Sequence, residues 1–164
     1  MAYSGRYQVL NPKKYLGDHT NVIYRSLWER DCFKWCDMNP KVKAWSSEEV
    51  IIPYYYEVDK RYHRYFPDLK IIFSNKTILV EIKPDKETKP PTGQKRTKKY
   101  INEALTYVKN MNKWEAANSY CRDRKWDFQI WTEETLYTMG IMTKPMKKVP
   151  GKLKPLKPYR KKKK

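Results

Sequence analysis

The feature that most constrains this chain is a pair of apolar segments joined by a short polar turn. The first segment covers residues 69–73, the second covers residues 78–83, and the turn covers residues 74–77. Short apolar segments rich in β-branched residues and bounded by turn residues are typical of a β-hairpin. Pro84 ends the second segment because proline cannot donate a hydrogen bond to a neighbouring strand. In a chain of 164 residues, this pattern favours one domain built on a sheet.

Two carboxylates and one lysine lie at one end of the predicted hairpin. Glu81 and Lys83 are two residues apart on a strand, so they point to the same face. If Phe73 pairs with residue 77 or 78, Asp68 lies opposite residue 82 or 83. The Asp68 carboxylate then lies within roughly 7–8 Å of Glu81 and Lys83. The sequence therefore predicts two acids and one lysine at a single sheet end.

This set of side chains has a specific chemistry. Carboxylates such as Asp68 and Glu81 are the ligands that Mg²⁺ or Mn²⁺ prefers, and Lys83 could neutralise charge on a phosphate. The pattern (Asp or Glu)-x-Lys occurs four times in the chain, but only Glu81 and Lys83 end an apolar strand. The alternative is a turn acid at Asp68 and a solvated strand face at Glu81 and Lys83. The hairpin geometry and the basic chain favour the site.

The rest of the chain alternates helical and extended patterns. We predict helices over residues 24–37 and 98–124 and from residue 132, and strands at 50–52, 54–56 and 128–131. The long helix has an apolar side that runs from Ile101 and Leu105 to Trp114. This order predicts a mixed α/β fold with a sheet packed against helices.

The charge of the chain favours a polyanionic partner. The net charge is +18, and eleven basic residues lie between Lys144 and Lys164, where no acid occurs. Nucleic acid is the commonest partner of such a surface. The Lys- and Pro-rich tail, residues 143–164, is expected to be flexible. It could bind DNA, dock on an acidic protein or act only as a solubilising extension.

A second basic stretch, residues 83–99, follows the predicted site. Its lysines and arginines could contact the phosphate backbone without reading the base sequence, or could form a solvated loop. We favour phosphate contact because the site is adjacent. The residues expected on DNA are Arg64, Lys86, Lys95, Arg96, Lys98 and Lys99.

Other residue types indicate no further site. Three cysteines without zinc-like spacing favour reduced core thiols in a cytoplasmic protein. We expect no signal peptide, and no apolar run is long enough to span a membrane. His63 is expected to hydrogen-bond rather than to bind a metal. The tyrosines of residues 54–65 are expected mostly to pack a sheet, although base stacking is the alternative.

Several runs resemble the PD-(D/E)xK nuclease superfamily, and within it the head completion nucleases of T-even-type tailed phages. They are YRSLWE (24–29), RYFPD (64–68), VEIKP (80–84), ETKPP (87–91) and KWEAA (113–117). The resemblance spans about residues 1–140 and implies a restriction-endonuclease-like core, a mixed sheet flanked by helices, within a nuclease domain of residues 1–142. It implies metal ligands at Asp68 and Glu81 and catalytic roles for Glu29, Asp68, Glu81 and Lys83. From spacing alone, Glu29 instead completes a capping box with Ser26.

The same resemblance implies metal-dependent DNA cleavage, with Mg²⁺ or Mn²⁺, late in phage head maturation. The protein would process or protect the packaged DNA end before tail attachment, with portal, neck or head proteins as partners. It would work in the host cytoplasm during assembly, and a place in the head–neck region of the virion is also open. The alternatives are a non-catalytic DNA-binding or neck structural protein, and a resolvase or transposon-end nuclease on the same fold.

Overall fold

A mixed sheet with the predicted hairpin at its centre organises the structure, a computed structural model that describes residues 3–146. The described chain contains eight strands and three α-helices. The strands are β1 (Gly5–Tyr7), β2 (Val22–Tyr24), β3 (Val42–Ser46), β4 (Ile52–Tyr56), β5 (Arg61–Tyr65), β6 (Leu69–Phe73), β7 (Thr77–Ile82) and β8 (Asp127–Trp131). The helices are α1 (Leu27–Met38), α2 (Lys98–Asp123) and α3 (Glu133–Thr138), and short 3-10 turns cover Pro12–Lys14 and Asp85–Thr88.

The central sheet has the strand order β3-β6-β7-β8. β6 pairs antiparallel with both β3 and β7, whereas β8 pairs parallel with β7. The parallel pair requires a long crossover, and α2 provides it. β1 pairs with β2 and β4 with β5 in two separate two-stranded ribbons. The mixed sheet confirms the predicted fold class.

The two faces of the sheet pack against different helices, as the alternation of β7 predicts. Ile78, Val80 and Ile82 lie in an apolar cluster with residues of α1. Leu79 points the other way and packs with Trp114 of α2. Because successive strand residues alternate between faces, Glu81 follows Leu79 toward the α2 side.

The register of the β6–β7 hairpin differs by one residue from the nearer of our two predicted registers. Leu69 lies opposite Val80, and the amide of Phe73 donates to the carbonyl of Lys76 at 2.8 Å. The turn is therefore two residues long, Ser74 and Asn75, and not the longer turn that we predicted. The same register continues to place Asp68 opposite Glu81, whereas we predicted residue 82 or 83.

Hydrogen bonds fix both ends of α1. Ser26 caps its start, since its hydroxyl accepts from the amide of Glu29 at 3.2 Å. At its end, Lys14 Nζ donates to the carbonyls of Cys36, Asp37 and Asn39 at 2.9–3.0 Å. A lysine in this position satisfies carbonyls that have no partner within the helix. These contacts hold the helix that carries Glu29 in a fixed position against the sheet.

Three predictions about the elements were wrong or incomplete. Ile101 and Leu105 do not face the core, because the first turns of α2 extend past the sheet and leave these side chains 47% and 40% exposed. Strand β3 was missed because its sequence, VKAWS, lacks a clear apolar alternation. Residues 24–26 precede α1 and do not form its first turn.

Two further predictions concern membrane-spanning segments and the boundary of the basic tail. No helix within residues 3–146 is long and apolar enough to cross a membrane. Most of the predicted tail, residues 147–164, lies outside the described residues. The boundary at residue 142 therefore stays a prediction.

Candidate active site

Asp68 and Glu81 face each other across the open end of the β6–β7 hairpin. Asp68 follows the buried Pro67, and its Oδ2 accepts a hydrogen bond from the Ile82 amide at 2.7 Å. This bond fixes the Asp68 carboxylate against the end of β7. Burial raises the pKa of Asp68 well above its ordinary value, and the charge of Glu81 raises it further. Two carboxylates are thus held together where their charges repel.

Glu81 is buried, and three neighbours orient it. The hydroxyl of Tyr65 donates to its Oε2 at 2.5 Å, and Lys83 Nζ lies 3.5 Å from its Oε1. Burial raises the pKa of Glu81, while the Tyr65 hydrogen bond and the charges of Lys83 and Lys113 lower it. The contact between Lys83 and Glu81 agrees with the shared strand face that we predicted. Tyr65 comes from β5, so the separate hairpin β4–β5 also shapes the site.

Glu29 has a capping contact at the start of α1 and lies near the carboxylate pair, while its catalytic role stays a prediction. Its Oε2 accepts from the Arg25 amide at 2.8 Å, so it completes the start of α1 through Arg25 and not through Ser26. Burial raises the pKa of Glu29, and the nearby Glu81 charge adds to the shift. Glu29 in turn raises the pKa of Asp68. Glu29 therefore caps the helix and also adds a third negative charge close to the carboxylate pair.

Lys113 of α2 is a site residue that our sequence analysis did not assign. Its ammonium lies 5.6 Å from the ring centroid of Tyr65 and 5.8 Å from that of Tyr54. Burial lowers the pKa of Lys113, whereas the charge of Glu81 raises it. A lysine on an amphipathic helix looks like a solvated residue in the sequence. Only the packing of α2 against β4 brings it to the carboxylates.

The residues that we expected on DNA lie on β5, on the turn after β7 and around the start of α2. Arg64 lies on β5 with its guanidinium 6.0 Å from the Phe66 ring centroid. Lys86 lies in the 3-10 turn after β7, and the remaining four lie before or at the start of α2. All are exposed: Arg64, Lys86, Lys95, Arg96, Lys98 and Lys99. Their contact with DNA stays a prediction.

His63 and most of the tyrosines have structural contacts. His63 Nε2 shares a hydrogen bond with Asp59 Oδ2 at 2.6 Å, and its ring stacks on Tyr54. Tyr54, Tyr56 and Tyr65 are buried against α2, whereas Tyr55 and Tyr62 form an exposed edge-to-face pair. The cysteines are free and buried, as predicted.

The carboxylate pair has the chemistry of a magnesium or manganese site. Among residues 3–146, no three His, Cys, Asp or Glu side chains converge into a set of metal ligands. Mg²⁺ does not require such a set, because it keeps several waters and binds through one or two carboxylates. The buried carboxylate of Glu81 and the partly buried carboxylate of Asp68, whose pKa the charge of Glu81 raises, fit that requirement.

Comparison with known proteins agrees with this geometry. Residues 39–133 match the family model "TnsA-like endonuclease N terminal". The chain belongs to the TnsA-like endonuclease family. The matched residues include Asp68, Glu81, Lys83 and Lys113, and Glu29 precedes them. The predicted relationship to the PD-(D/E)xK nucleases is thereby confirmed.

The similarity to a relative of this family extends over nearly the whole chain. The head completion nuclease of Enterobacteria phage T4 is 40% identical over 147 residues, which cover 86% of this chain and 98% of that protein. No solved structure matches the chain. The resemblance to phage head completion nucleases that the sequence indicated is confirmed.

Burial of Asp68 and the nearby charge of Glu81 predict that Asp68→Asn stabilises the metal-free protein at pH 7. The unfolded chain ionises Asp68 near pH 3.9, whereas the folded protein resists ionisation, so the stability of the wild type falls as pH rises above that value. Asparagine does not ionise, and its Oδ1 can still accept from the Ile82 amide. We expect a gain of about 1 kcal/mol or more in the free energy of unfolding.

Urea unfolding in EDTA measures this gain, and the exposed Asp127→Asn is the matched control, expected to change stability by less than about 0.5 kcal/mol. The gain should shrink as pH falls through 3.9, because Asp68 of the unfolded wild type then also becomes protonated. A loss of stability for Asp68→Asn at pH 7 would contradict the described repulsion.

Proposed function

We propose that this protein is a DNA endonuclease that depends on Mg²⁺ or Mn²⁺ and acts in phage head completion. The observation that carries the proposal is the opposition of Asp68 and Glu81 at the sheet end, with Lys83 Nζ 3.5 Å from Glu81. Family membership supports nuclease chemistry on DNA. Near full-length similarity to a head completion nuclease supports the role in assembly.

Each site residue has a task in phosphodiester hydrolysis. Asp68 and Glu81 would hold the cation, which when bound polarises a phosphoryl oxygen and lowers the pKa of a water. Lys83 neutralises negative charge on the phosphate, since its ammonium lies on the same face as Glu81. Tyr65 orients Glu81 through its hydroxyl. Lys113 adds positive charge from the helix side, where partial burial strengthens its field.

Glu29 acts on the carboxylate pair and not only on its helix. Its negative charge lies close enough to raise the pKa of Asp68. We infer that it strengthens cation binding and accepts a hydrogen bond from a water in the site. This role is compatible with its bond to the Arg25 amide, because a carboxylate accepts several hydrogen bonds at once.

The biological setting follows from the relative. We infer that the enzyme trims or protects the end of packaged DNA before tail attachment, in the host cytoplasm during assembly, and docks at the head–neck region of the particle. Portal, neck or head proteins are the partners that this task requires. The 98% coverage of the phage T4 protein favours this role over that of a resolvase or transposon-end nuclease. A strong preference for branched DNA such as a four-way junction, or for one specific end sequence, would favour the latter.

Cleavage of supercoiled and linear DNA with Mg²⁺ or Mn²⁺ tests the proposed chemistry. Asp68→Asn, Glu81→Gln and Lys83→Met should each lower the cleavage rate about 100-fold or more, because each removes charge stabilisation at the phosphate. The matched control is Asp123→Asn, which alters another copy of the same tripeptide at the exposed end of α2. DNA affinity should persist in all four variants.

If the wild type binds DNA but cleaves none with either metal, the proposed nuclease activity is wrong. The protein would then be a DNA-binding structural component of the head or neck.

The two roles of Glu29 can be separated by a pair of substitutions. Ser26→Ala removes the cap hydroxyl and should cost about 1 kcal/mol of stability while leaving cleavage within about threefold of wild type. Glu29→Gln keeps an oxygen acceptor for the Arg25 amide but removes the charge near Asp68. It should therefore be no less stable than wild type, yet cleave at least about tenfold more slowly. Urea unfolding and cleavage rates measure both effects, and the reverse pattern would assign Glu29 to capping alone.

A further inference from the structure

A cavity lies beside the proposed active site and has no part in the mechanism described above. Its volume is about 560 Å³, and it lies between the segment after β7, residues 85–92, and the first half of α2. The segment begins two residues after Lys83. On the helix side, Tyr107 and Asn110 line the cavity, and Lys113 lies one turn further along the same face. One face of α2 therefore leads from the cavity to the site.

Asn110 places its side-chain amide at the wall of this cavity. The residue is only 5% exposed, and no residue within 3–146 hydrogen-bonds to its side chain. Nearby amides of α2 are paired: Asn112 Oδ1 accepts from the Glu57 amide at 3.1 Å, and Asn118 Nδ2 donates to the Trp114 carbonyl at 3.0 Å. Within residues 3–146, the buried polar side-chain atoms without a partner are the indole nitrogens of Trp45 and Trp114, so the Asn110 amide is accessible from the cavity and open to a polar ligand.

The remaining walls of the cavity indicate the chemistry of that ligand. The ring of Tyr107 is partly buried, and Pro90 and Pro91 present flat apolar surfaces opposite α2. The charged side chains at the rim include both signs, and Lys89 Nζ is paired with Asp85 Oδ2 at 2.9 Å. The acids at the rim disfavour a phosphate inside the cavity. A neutral, planar group with donors and acceptors along one edge fits all these walls.

We propose that the cavity receives one unpaired nucleobase of the DNA substrate, an inference that rests on the proposed nuclease function and narrows its substrate. The base stacks on Tyr107 and pairs its edge with the Asn110 amide, which offers a donor and an acceptor. Lys86, exposed at the rim, contacts the backbone phosphate of the same nucleotide. The adjacent phosphodiester bond then lies toward Asp68 and Glu81.

This arrangement defines a preference among DNA substrates. A base inside a duplex cannot reach a cavity unless it leaves the stack, and unpairing costs least where the base has no partner. The enzyme therefore favours DNA with unpaired nucleotides near the cleaved bond, such as a frayed or forked end, over fully paired DNA.

Binding of three labelled DNAs to the full-length protein tests the proposal. They are a blunt duplex, the same duplex with a forked end of unpaired adenines, and the same fork with abasic residues in place of the adenines. Fluorescence anisotropy in EDTA at fixed salt gives the affinities without cleavage. The wild type should bind the adenine fork about tenfold more tightly than the abasic fork, the effect of losing a stacked base.

Two disruptive variants and one conservative variant test whether the cavity causes this preference. Asn110→Leu and Tyr107→Ala should reduce the difference between the two forks to less than about threefold and leave affinity for the blunt duplex unchanged. Tyr107→Phe retains the ring and should retain the preference. Unchanged blunt-duplex binding also shows that the variants are folded.

Equal affinity of the wild type for both forks would overturn the proposal, as would a preference that persists in both Asn110→Leu and Tyr107→Ala. Absence of cleavage with Mg²⁺ or Mn²⁺ would overturn the nuclease function and leave the base preference measurable. The two failures are therefore distinguishable.

Discussion

The antiparallel pairing of β6 with β7 is the constraint on which the rest of the structure depends. It places Asp68 opposite Glu81, and it holds both strands in a sheet whose buried residues are mainly apolar. Burial raises the pKa values of both carboxylates, and the charge of Glu81 raises that of Asp68 further, so the pair opposes folding while it creates a site for a cation. Three contacts offset part of this cost. The Ile82 amide donates to Asp68, and the Tyr65 hydroxyl and the Lys83 ammonium contact Glu81.

Helix α2 contributes residues to the apolar core, to the candidate active site and to the cavity beside the segment 85–92. Its second half packs Trp114, Ala117 and Cys121 against the sheet. Lys113 directly precedes Trp114, and its ammonium lies 5.6 Å from the ring centroid of Tyr65, whose hydroxyl donates to Glu81. Its first half extends past the sheet and forms a wall of the cavity. A long crossover helix is required by the parallel β7–β8 pair, and the part of α2 that extends beyond the sheet is the part that lines the cavity.

The sequence predicted features that depend on local periodicity and could not predict those that depend on packing. The alternation of residues 78–82 assigned each side chain to the correct face of β7, because strand geometry alone decides it. The predicted register of the β6–β7 hairpin was wrong by one residue, because the register depends on how tight the turn at Ser74 and Asn75 is. The apolar side predicted for α2 began at Ile101 and Leu105, and these two are exposed, because apolar spacing does not show where a helix extends beyond its sheet. Lys113 and Asn110 were not assigned because a polar residue on a helix gains its role only from what the fold places against it.

Calorimetric titration of Mn²⁺ into the DNA-free protein tests the central claim most directly, because it measures the carboxylate pair without relying on cleavage. We predict that the wild type and Asp127→Asn bind Mn²⁺ saturably, and that Asp68→Asn and Glu81→Gln bind it at least about tenfold more weakly. Equal Mn²⁺ affinity in all four proteins would mean that Asp68 and Glu81 do not hold the metal, and the assignment of the active site would be contradicted.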